Sequence, residues 1–385
     1  MSSEQLSAPI HIAMSEHRGA EHRNWSPLPT AHYLFGLPYI RNCTVALEGS
    51  VAYNPAMQTA EYWHSDDGAR AQCDLCPHRC VTGEGQVGRC RVRGVRGGQL
   101  RALGYGALAS AQMDPIEKKP LYHFYPGRPI FSVGGWGCNL SCAFCQNWTL
   151  SQSDPAEGRR YTPNELVDAA ADSIGIAYTY NEPCVGFEFV RDAATLAQER
   201  GLKNVLVTNG HLNPEPAAEL LPLVSALNID IKSMEASFYR DRCGGSLDAV
   251  LAFAEQAHAA GCHVELTQLV IPTLNDGDDQ FRRLVEWVAT RLGTSVPLHL
   301  SAYRPMYKMD IPATPTHTLE RAWQIGTETL DYVYLGNVSS RVGANTECPD
   351  CASVLITRSG FQARIVGIRD GCCAHCGRVA DVVTS

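Results

Sequence analysis

Three cysteines, Cys138, Cys142 and Cys145, stand close together in the run FSVGGWGCNLSCAFCQNW. Their C-x3-C-x2-C spacing lets one loop hold three irons of a 4Fe–4S cluster and leaves the fourth iron without a protein ligand. An iron with an open position is what a chelating substrate needs. The alternative is a zinc knuckle, which needs a fourth ligand and usually has paired C-x2-C units. The spacing therefore favours a catalytic cluster.

A second group of cysteines lies before this run, in the pattern C-x2-C-P-H-x-C-x9-C. Its members are Cys73, Cys76, Cys80 and Cys90. Four thiolates suit a tetrahedral zinc ion or a fully ligated 4Fe–4S cluster, and the sequence does not separate the two.

A third group closes the chain as two C-x2-C knuckles, Cys348 with Cys351 and Cys373 with Cys376. The sequence between the knuckles has the pattern of a β-hairpin, so the segment is predicted to be a zinc ribbon. Cys372 is either a spare thiol or an alternative ligand. Cys373 is favoured because it preserves the C-x2-C symmetry.

The composition limits the class of protein. The chain has 385 residues, a net charge of −8 and 16 cysteines. No long basic block points to nucleic acid or a membrane surface, and no apolar run approaches the roughly 18 residues of a membrane span. Clustered cysteines without an export signal favour metal ligation in a reducing, cytoplasmic compartment.

The pattern from residue 129 onward alternates strands with helices, which predicts a parallel sheet. Six or seven such units fit an α/β fold built as a partial (β/α)6 TIM-like barrel. Candidate strands are 129–133, 173–179, 204–208, 226–231, 263–271, 297–303 and 331–338. Thr162 and Glu165 form a capping box, and a helix over 247–260 ends at Gly261.

Four regions are predicted along the chain. Residues 1–56 form a poorly ordered extension, 57–128 an N-terminal region with the four-cysteine knuckle, 129–340 the partial barrel and 341–385 the zinc-ribbon-like domain.

Polar residues follow the second and third barrel strands, where barrel enzymes place their chemistry. Asn181 and Glu182 lie in YTYNEP, and Thr208 and Asn209 lie in VTNG. Glu182 is either a ligand-binding carboxylate or a turn residue. The VTNG segment taken alone is an ordinary strand-to-helix turn.

Charged residues follow the fourth and sixth strands. Asp230 and Lys232 share one face by the two-residue period of a strand, so they either form a structural ion pair or bind a ligand. Arg304 stands in HLSAYRPMYK, at the end of the sixth strand.

Together these motifs resemble the radical S-adenosylmethionine (SAM) superfamily, and within it the radical SAM component of the AmmeMemoRadiSam system, which is related to pyruvate formate-lyase activating enzymes. The similarity runs from about residue 57 to the C-terminus. Besides the cysteine motifs, it rests on DPIEKKPLYHFYPG (114–127), YTYNEP, TNG, DIK, LVIPTLND (269–276) and YLGNV.

The resemblance implies that SAM chelates the open iron and is reductively cleaved to a 5′-deoxyadenosyl radical. It also implies a SAM-binding role for Phe144, Asn181, Glu182, Thr208, Asn209, Asp230, Lys232 and Arg304. In this assignment Phe144 packs on the purine, Glu182 faces the ammonium of SAM and Lys232 faces its carboxylate.

Three positions depart from the family pattern. Asn181-Glu182 lacks the paired glycines of a GGE motif, and Arg304 stands where relatives carry a histidine that contacts SAM. Val207 replaces the aspartate that serves a monovalent-cation site in the activases, so that site is not expected here.

The preferred hypothesis is an enzyme that abstracts hydrogen from an unidentified substrate. The resemblance implies AMMECR-type and Memo-type partner proteins and a reductant such as flavodoxin or ferredoxin. One alternative is an activase that installs a glycyl radical on a partner enzyme. The second is a non-catalytic iron–sulfur or zinc assembly factor, which the retained SAM-contacting residues disfavour. Glu117, Lys118 and Lys119 are expected either to cover the barrel mouth or bind substrate, or to form a solvated loop.

Overall fold

The computed structural model describes residues 58–65, 68–154 and 159–384. The predicted extension, residues 1–56, lies outside the described residues.

The N-terminal cysteines are carried by two small antiparallel sheets. The first contains β1 (Trp63–His64), β2 (Arg70–Cys73) and β3 (Val81–Gly83), and the second contains β4 (Arg93–Arg96) and β5 (Gln99–Ala102). Cys73 ends β2 and Cys90 precedes β4, so the folding of both sheets brings together cysteines that are distant in sequence.

The central sheet has eight strands that neighbour one another in chain order. They are β6 (Ser110–Pro115), β7 (Pro129–Gly134), β8 (Gly175–Tyr178), β9 (Lys203–Thr208), β10 (Ala226–Asp230), β11 (His263–Val270), β12 (Leu298–Ala302) and β13 (Val333–Gly336). Strand β6 is antiparallel to β7, and all the other pairs are parallel. The predicted parallel sheet is confirmed, whereas the curvature of a partial (β/α)6 barrel stays a prediction. The sequence pattern did not predict β6.

Helices follow the strands as the alternating pattern predicts. They are α1 (Trp148–Ser151), α2 (Pro163–Ala169), α3 (Phe187–Glu199), α4 (Pro214–Leu220), α5 (Ala236–Phe238), α6 (Leu247–Ala259), α7 (Asp278–Arg291) and α8 (Thr316–Thr327). Short 3-10 helices span Ile116–Lys118, Pro183–Gly186 and Leu221–Leu223, and a π-helical turn spans Tyr239–Cys243. Within the described ranges, no helix has the length and apolar character that a membrane crossing requires.

Local sequence sets the ends of two helices as predicted. The Thr162 side chain accepts the Glu165 N–H while the Glu165 carboxylate accepts the Thr162 N–H, which completes the capping box of α2. Helix α6 ends before Gly261, whose φ of +81° is a conformation that glycine adopts without a Cβ penalty.

The two faces of the central sheet differ in chemistry. One face carries leucine and valine side chains that share the main core with the helices, such as Leu206, Leu227 and Leu266. The opposite face is also buried but carries polar side chains. These include Ser132, Asn228, Glu265, Thr267, His299 and Tyr334.

The segment after β6 packs on this polar face. Buried Glu265 accepts hydrogen bonds from the N–H groups of Tyr122 and His123 and contacts His263 and His299. Its histidine partners hold the pKa of Glu265 well below its ordinary value, although burial acts to raise it. The network therefore fixes the segment that carries the DPIEKKPLYHFYPG motif.

Two of the three charged residues singled out in that motif, Glu117 and Lys119, are not part of a solvated loop, whereas Lys118 is exposed. Glu117 and Lys119 are each 1% exposed, and the Lys119 ammonium lies 2.7 Å from Asp114. The segment begins at Pro115, which pairs with Pro129 at the amino end of β7, so it does not start from the expected barrel mouth. Burial lowers the pKa of Lys119 to about 8, although Asp114 opposes this.

Strands β14 (Thr346–Glu347), β15 (Val354–Ser359) and β16 (Gln362–Ile365) form a C-terminal antiparallel sheet, followed by the pair β17 (Ile368–Arg369) and β18 (Cys372–Cys373). The hairpin expected between the two cysteine knuckles is β15–β16.

Candidate functional site

The loop that carries Cys138, Cys142 and Cys145 leaves the carboxyl end of β7 and leads into α1. Its backbone is held on two sides. The N–H of Ser141 donates to the Cys243 carbonyl at 2.8 Å, and the N–H of Lys308 donates to the Ala143 carbonyl at 3.0 Å. The π-helical turn and the segment after β12 thus enclose the loop.

Three asparagines tie this loop to neighbouring strand ends. The Asn181 side chain accepts the Gly135 N–H at 2.9 Å and donates to the Gly137 carbonyl at 3.1 Å. The Asn209 amide donates to Asn139 Oδ1 at 3.0 Å and lies 3.5 Å from Cys138 Sγ. Asn181 and Asn209 therefore contact the cysteine loop, where they position it.

Glu182 is buried and its carboxylate is already bound by the protein. It accepts hydrogen bonds from the hydroxyl of Thr208 at 2.7 Å, the N–H of Asn209 at 2.8 Å and the N–H of Cys184 at 3.0 Å. Burial raises its pKa, and the Asn209 and Thr208 donors oppose that shift. Three of about four acceptor positions are thus used, so Glu182 joins the ends of β8 and β9. Its predicted contact with the SAM ammonium stays a prediction.

Asp230 and Lys232 form the expected pair at the end of β10. Lys232 Nζ lies 2.7 Å from Asp230 Oδ2, with 14% of the Lys232 side chain and 30% of the Asp230 side chain exposed. Burial works against the lysine charge, but the Asp230 carboxylate outweighs burial and raises the pKa of Lys232. The pair is thus accessible at one edge, as a ligand site requires.

Charge links this pair to the cysteine loop. The pKa of Cys142 is lowered, first by a hydrogen bond with Cys243 and then, against burial, by the charge of Lys232. Lys232 also opposes the rise that burial causes in the pKa of Cys145. The structure therefore brings the predicted lysine and the predicted cluster ligands together.

The two remaining candidates differ in exposure. Phe144 is 3% exposed and its ring lies 5.7 Å from that of Phe238, so its contact with a purine stays a prediction. Arg304 is exposed just beyond β12, whereas Tyr303 beside it is buried. Arg304 belongs to the same segment as Lys308, which contacts the cysteine loop.

The N-terminal cysteines surround a cavity. Cys73, Cys76, Cys80 and Cys90 all line it. Asn139, the neighbour of Cys138, lines the same cavity.

The C-terminal cysteines are gathered much more tightly. Sγ of Cys348 lies 3.6 Å from Sγ of Cys376, and Sγ of Cys351 lies 3.7 Å from Sγ of Cys373. All four sulfur atoms lie within 4.8 Å of one another. Zn–S bonds of about 2.3 Å in a tetrahedron give an S–S edge of about 3.8 Å, so the spacing fits a metal site. Cys373, and not Cys372, belongs to the group.

Several residues of this site were not predicted from the sequence. Asn139 donates to the His211 carbonyl at 2.6 Å, and Asn275 donates to the Lys232 carbonyl at 2.7 Å. Cys243 contacts Cys142. Asn139 lies inside the cysteine motif and Asn275 inside LVIPTLND, so both motifs contained a signal, but only the fold shows what the side chains contact.

We expect Glu182→Gln to destabilise the protein by about 1–3 kcal/mol. A glutamine amide keeps one oxygen and places an NH2 group toward either Thr208 or the Asn209 N–H, which leaves a buried donor without an acceptor. Thermal unfolding should show a lower Tm. Glu199→Gln, at an exposed position ending α3, is the matched control and should stay within about 0.5 kcal/mol of the parent protein. An unchanged Tm in Glu182→Gln would contradict the role of Glu182 as a link between strands.

Comparison with known sequences gives a family match. The radical SAM superfamily matches residues 134–288. An uncharacterized protein of Methanocaldococcus jannaschii, MJ0808, is 42% identical over 335 residues, which are 85% of this chain and 100% of that protein. Pyruvate formate-lyase 1-activating enzyme of Escherichia coli K12 is 26% identical over 182 residues, 45% of this chain and 73% of the enzyme.

Solved structures are similar at lower identity. A domain of a pyruvate-formate lyase-activating enzyme from Bacteroides vulgatus has 20% identity and a TM-score of 0.38, over 42% of this chain and 99% of that one. SuiB of Streptococcus suis, solved bound to S-adenosylmethionine, has 12% identity and a TM-score of 0.42, over 56% of this chain and 49% of that one.

Proposed function

We propose that this chain, which belongs to the radical SAM superfamily, cleaves SAM reductively and uses the radical to abstract hydrogen from a substrate. The observation that carries the proposal is that a loop with the C-x3-C-x2-C spacing lies against the end of β9, where the Asn209 amide is 3.5 Å from Cys138 Sγ. The partly exposed Lys232–Asp230 pair, which follows the neighbouring strand β10, offers an ammonium group able to bind a carboxylate.

The donor set fits an open 4Fe–4S cluster. Among the described residues, Cys138, Cys142 and Cys145 are not gathered within 4.8 Å as the C-terminal thiols are, which suits ligands of separate irons better than a zinc tetrahedron. The Leu140 N–H, at 3.3 Å, and the Asn209 amide approach the Cys138 sulfur and would stabilise its thiolate. When bound, such a cluster supplies the single electron that cleaves the sulfonium of SAM.

The protein's own part is to hold SAM in place. Lys232 would bind the carboxylate of SAM, while Asp230 keeps the lysine charged and oriented. Glu182 would act mainly through Thr208 and Asn209, which it fixes at the end of β9. Arg304, exposed on the segment beside the cysteine loop, would contact the carboxylate of SAM together with Lys232, or an anionic group of the substrate.

The finer assignment is to the AmmeMemoRadiSam system, with AMMECR-type and Memo-type partners and a flavodoxin or ferredoxin as reductant. It is supported by the motifs that extend beyond the matched superfamily region to both cysteine-rich ends. Glycyl-radical activation is the second candidate, and the identity to the E. coli activating enzyme favours it.

Electron paramagnetic resonance (EPR) spectroscopy distinguishes these candidates. The reduced protein is incubated with SAM and either a glycyl-radical enzyme or the two partner proteins. We expect no glycyl-radical doublet, and we expect 5′-deoxyadenosine formation to rise with the partners. A stoichiometric glycyl-radical doublet would replace the first candidate with the second.

We further propose that the C-terminal site binds zinc. Cys373→Ala should lose one zinc per chain and loosen the sheet β14–β16, because the metal supplies much of the folding energy of so small a unit. Cys372→Ala is the matched control and should retain zinc, since Cys372 lies outside the thiol group. Metal analysis together with limited proteolysis measures both effects. Zinc retained in Cys373→Ala and lost in Cys372→Ala would reverse the ligand assignment.

A further inference from the structure

The N-terminal and C-terminal cysteine groups have the same number of thiols but different spacing. The C-terminal sulfur atoms lie 3.6 and 3.7 Å apart in pairs, close to the edge of a zinc tetrahedron. Within the described ranges, no three of Cys73, Cys76, Cys80 and Cys90 have sulfur atoms mutually within 4.8 Å. They stand instead around a cavity.

The distances between the sulfur atoms distinguish the two kinds of metal centre that four thiolates can form, a zinc ion and a 4Fe–4S cluster. A zinc ion draws all four sulfurs onto one atom. In a 4Fe–4S cluster each thiolate binds a different iron at a corner of the cube, so the sulfurs stand farther apart and enclose space for the inorganic core. The open arrangement of the N-terminal thiols matches the second case.

Two buried donors point to the same conclusion. The Thr82 hydroxyl and Arg93 Nε have no hydrogen-bond partner among the described residues, and both residues line the cavity. Arg93 is 2% exposed and Thr82 is 6% exposed, so bulk solvent does not supply the missing acceptors. Sulfide and thiolate sulfurs of a cluster accept such hydrogen bonds.

The positive charge around the cavity also suits an anionic iron–sulfur cluster. A cluster with four thiolates is anionic, and two arginines, Arg89 and Arg93, are among the residues that line the cavity. Arg93 is buried and lines this cavity together with Cys73 and Cys90. The other face of Arg93 is fixed by Glu188, with Nη1–carboxylate distances of 2.8 and 2.9 Å.

The cavity shares a wall with the Cys138 loop. A ring nitrogen of His78, Nε2, lies 2.8 Å from the Asn139 carbonyl oxygen, and Arg89 donates to the Ser141 hydroxyl at 2.8 Å. At Gly137, where φ is +81°, a Cβ would collide with the Cys90 carbonyl oxygen. The N-terminal cysteine group therefore lies directly beside the loop that carries Cys138, Cys142 and Cys145.

We propose that Cys73, Cys76, Cys80 and Cys90 hold a second, fully ligated 4Fe–4S cluster adjacent to the first, and not zinc. Binding of this cluster is independent of the function proposed above. Magnetic coupling between the two clusters rests on that function, because it needs a cluster on the Cys138 loop.

The test uses the full chain, reconstituted anaerobically with iron and sulfide, and a triple variant with Cys138, Cys142 and Cys145 each changed to alanine. We expect about eight irons and eight sulfides per parent chain, and about four of each in the triple variant. Both should hold one zinc. The dithionite-reduced triple variant should give the EPR signal of one cluster, and the reduced parent should show extra splitting or broadening from coupling.

A second variant, Cys76→Ser with Cys80→Ser, should lose about four irons and keep one zinc. Should this variant fail to fold, the triple variant still decides, because its N-terminal site is intact. A triple variant with two zinc ions and no iron overturns the proposal. If the triple variant binds iron but the parent does not cleave SAM, the proposed function is refuted and the second cluster is supported. If the parent cleaves SAM but the triple variant binds no iron, the second cluster alone is refuted.

Discussion

Cys142→Ser is expected to abolish SAM cleavage. Cys142 is buried on the loop that follows β7, and a cluster held by only two cysteines cannot keep a single iron open for SAM. Reconstituted Cys142→Ser should therefore form no detectable 5′-deoxyadenosine with dithionite and SAM, and the EPR signal of the open cluster should be lost.

Cys262→Ser is the matched control for this change. Cys262 is a buried thiol just before the amino end of β11, and its Sγ lies 3.4 Å from the Val224 carbonyl oxygen. The Cys262→Ser variant should keep both the cluster signal and SAM cleavage. Loss of cleavage in Cys262→Ser with retention in Cys142→Ser would show that the ligands were assigned to the wrong cysteines.

Lys232→Met is expected to weaken SAM binding about ten- to a hundredfold. One charge-assisted hydrogen bond to a carboxylate contributes about 1.5–3 kcal/mol, and methionine keeps the length of the side chain without the charge. Asp230 is 30% exposed, so water can solvate it once the lysine is gone. Equilibrium dialysis with SAM gives the Kd, and iron content should not change.

Lys203→Met controls for the loss of a lysine. Lys203 is the first residue of β9. It therefore lies at the amino ends of the parallel strands, whereas Lys232 follows the carboxyl end of β10. Its Kd for SAM should equal that of the parent protein. If Lys232→Met also binds SAM like the parent, the ion pair with Asp230 is purely structural.

Local sequence accounts for much of the fold. The strands from β7 to β13 are predictable because short apolar runs alternate with amphipathic helices, and their order follows because each parallel strand pairs with the next. The ends of α2 and α6 are predictable from a capping box and a glycine. The two helix ends in particular depend on contacts between residues only a few positions apart.

The features that the sequence does not predict depend on contacts between residues far apart in the chain. Strand β6 is recognisable only through its pairing with β7, since its own sequence, SAQMDP, has no strong strand pattern. Glu182 is predicted as a ligand-binding carboxylate or a turn residue, and the sequence does not predict its donors Thr208 and Asn209, which come from the next strand, 26 and 27 residues away. The bond between Asn209 and Asn139 joins residues 70 positions apart. Residue types therefore located the candidate site, and the fold determined which of its residues hold the others in place.

The most direct test of the proposed chemistry is anaerobic incubation of the reconstituted, dithionite-reduced protein with SAM, followed by chromatography of the products. The proposed chemistry predicts 5′-deoxyadenosine and methionine in equal amounts, with neither product formed when dithionite is omitted. A protein that contains its full complement of iron and sulfide yet returns SAM unchanged, alone and with the partner proteins, would contradict it.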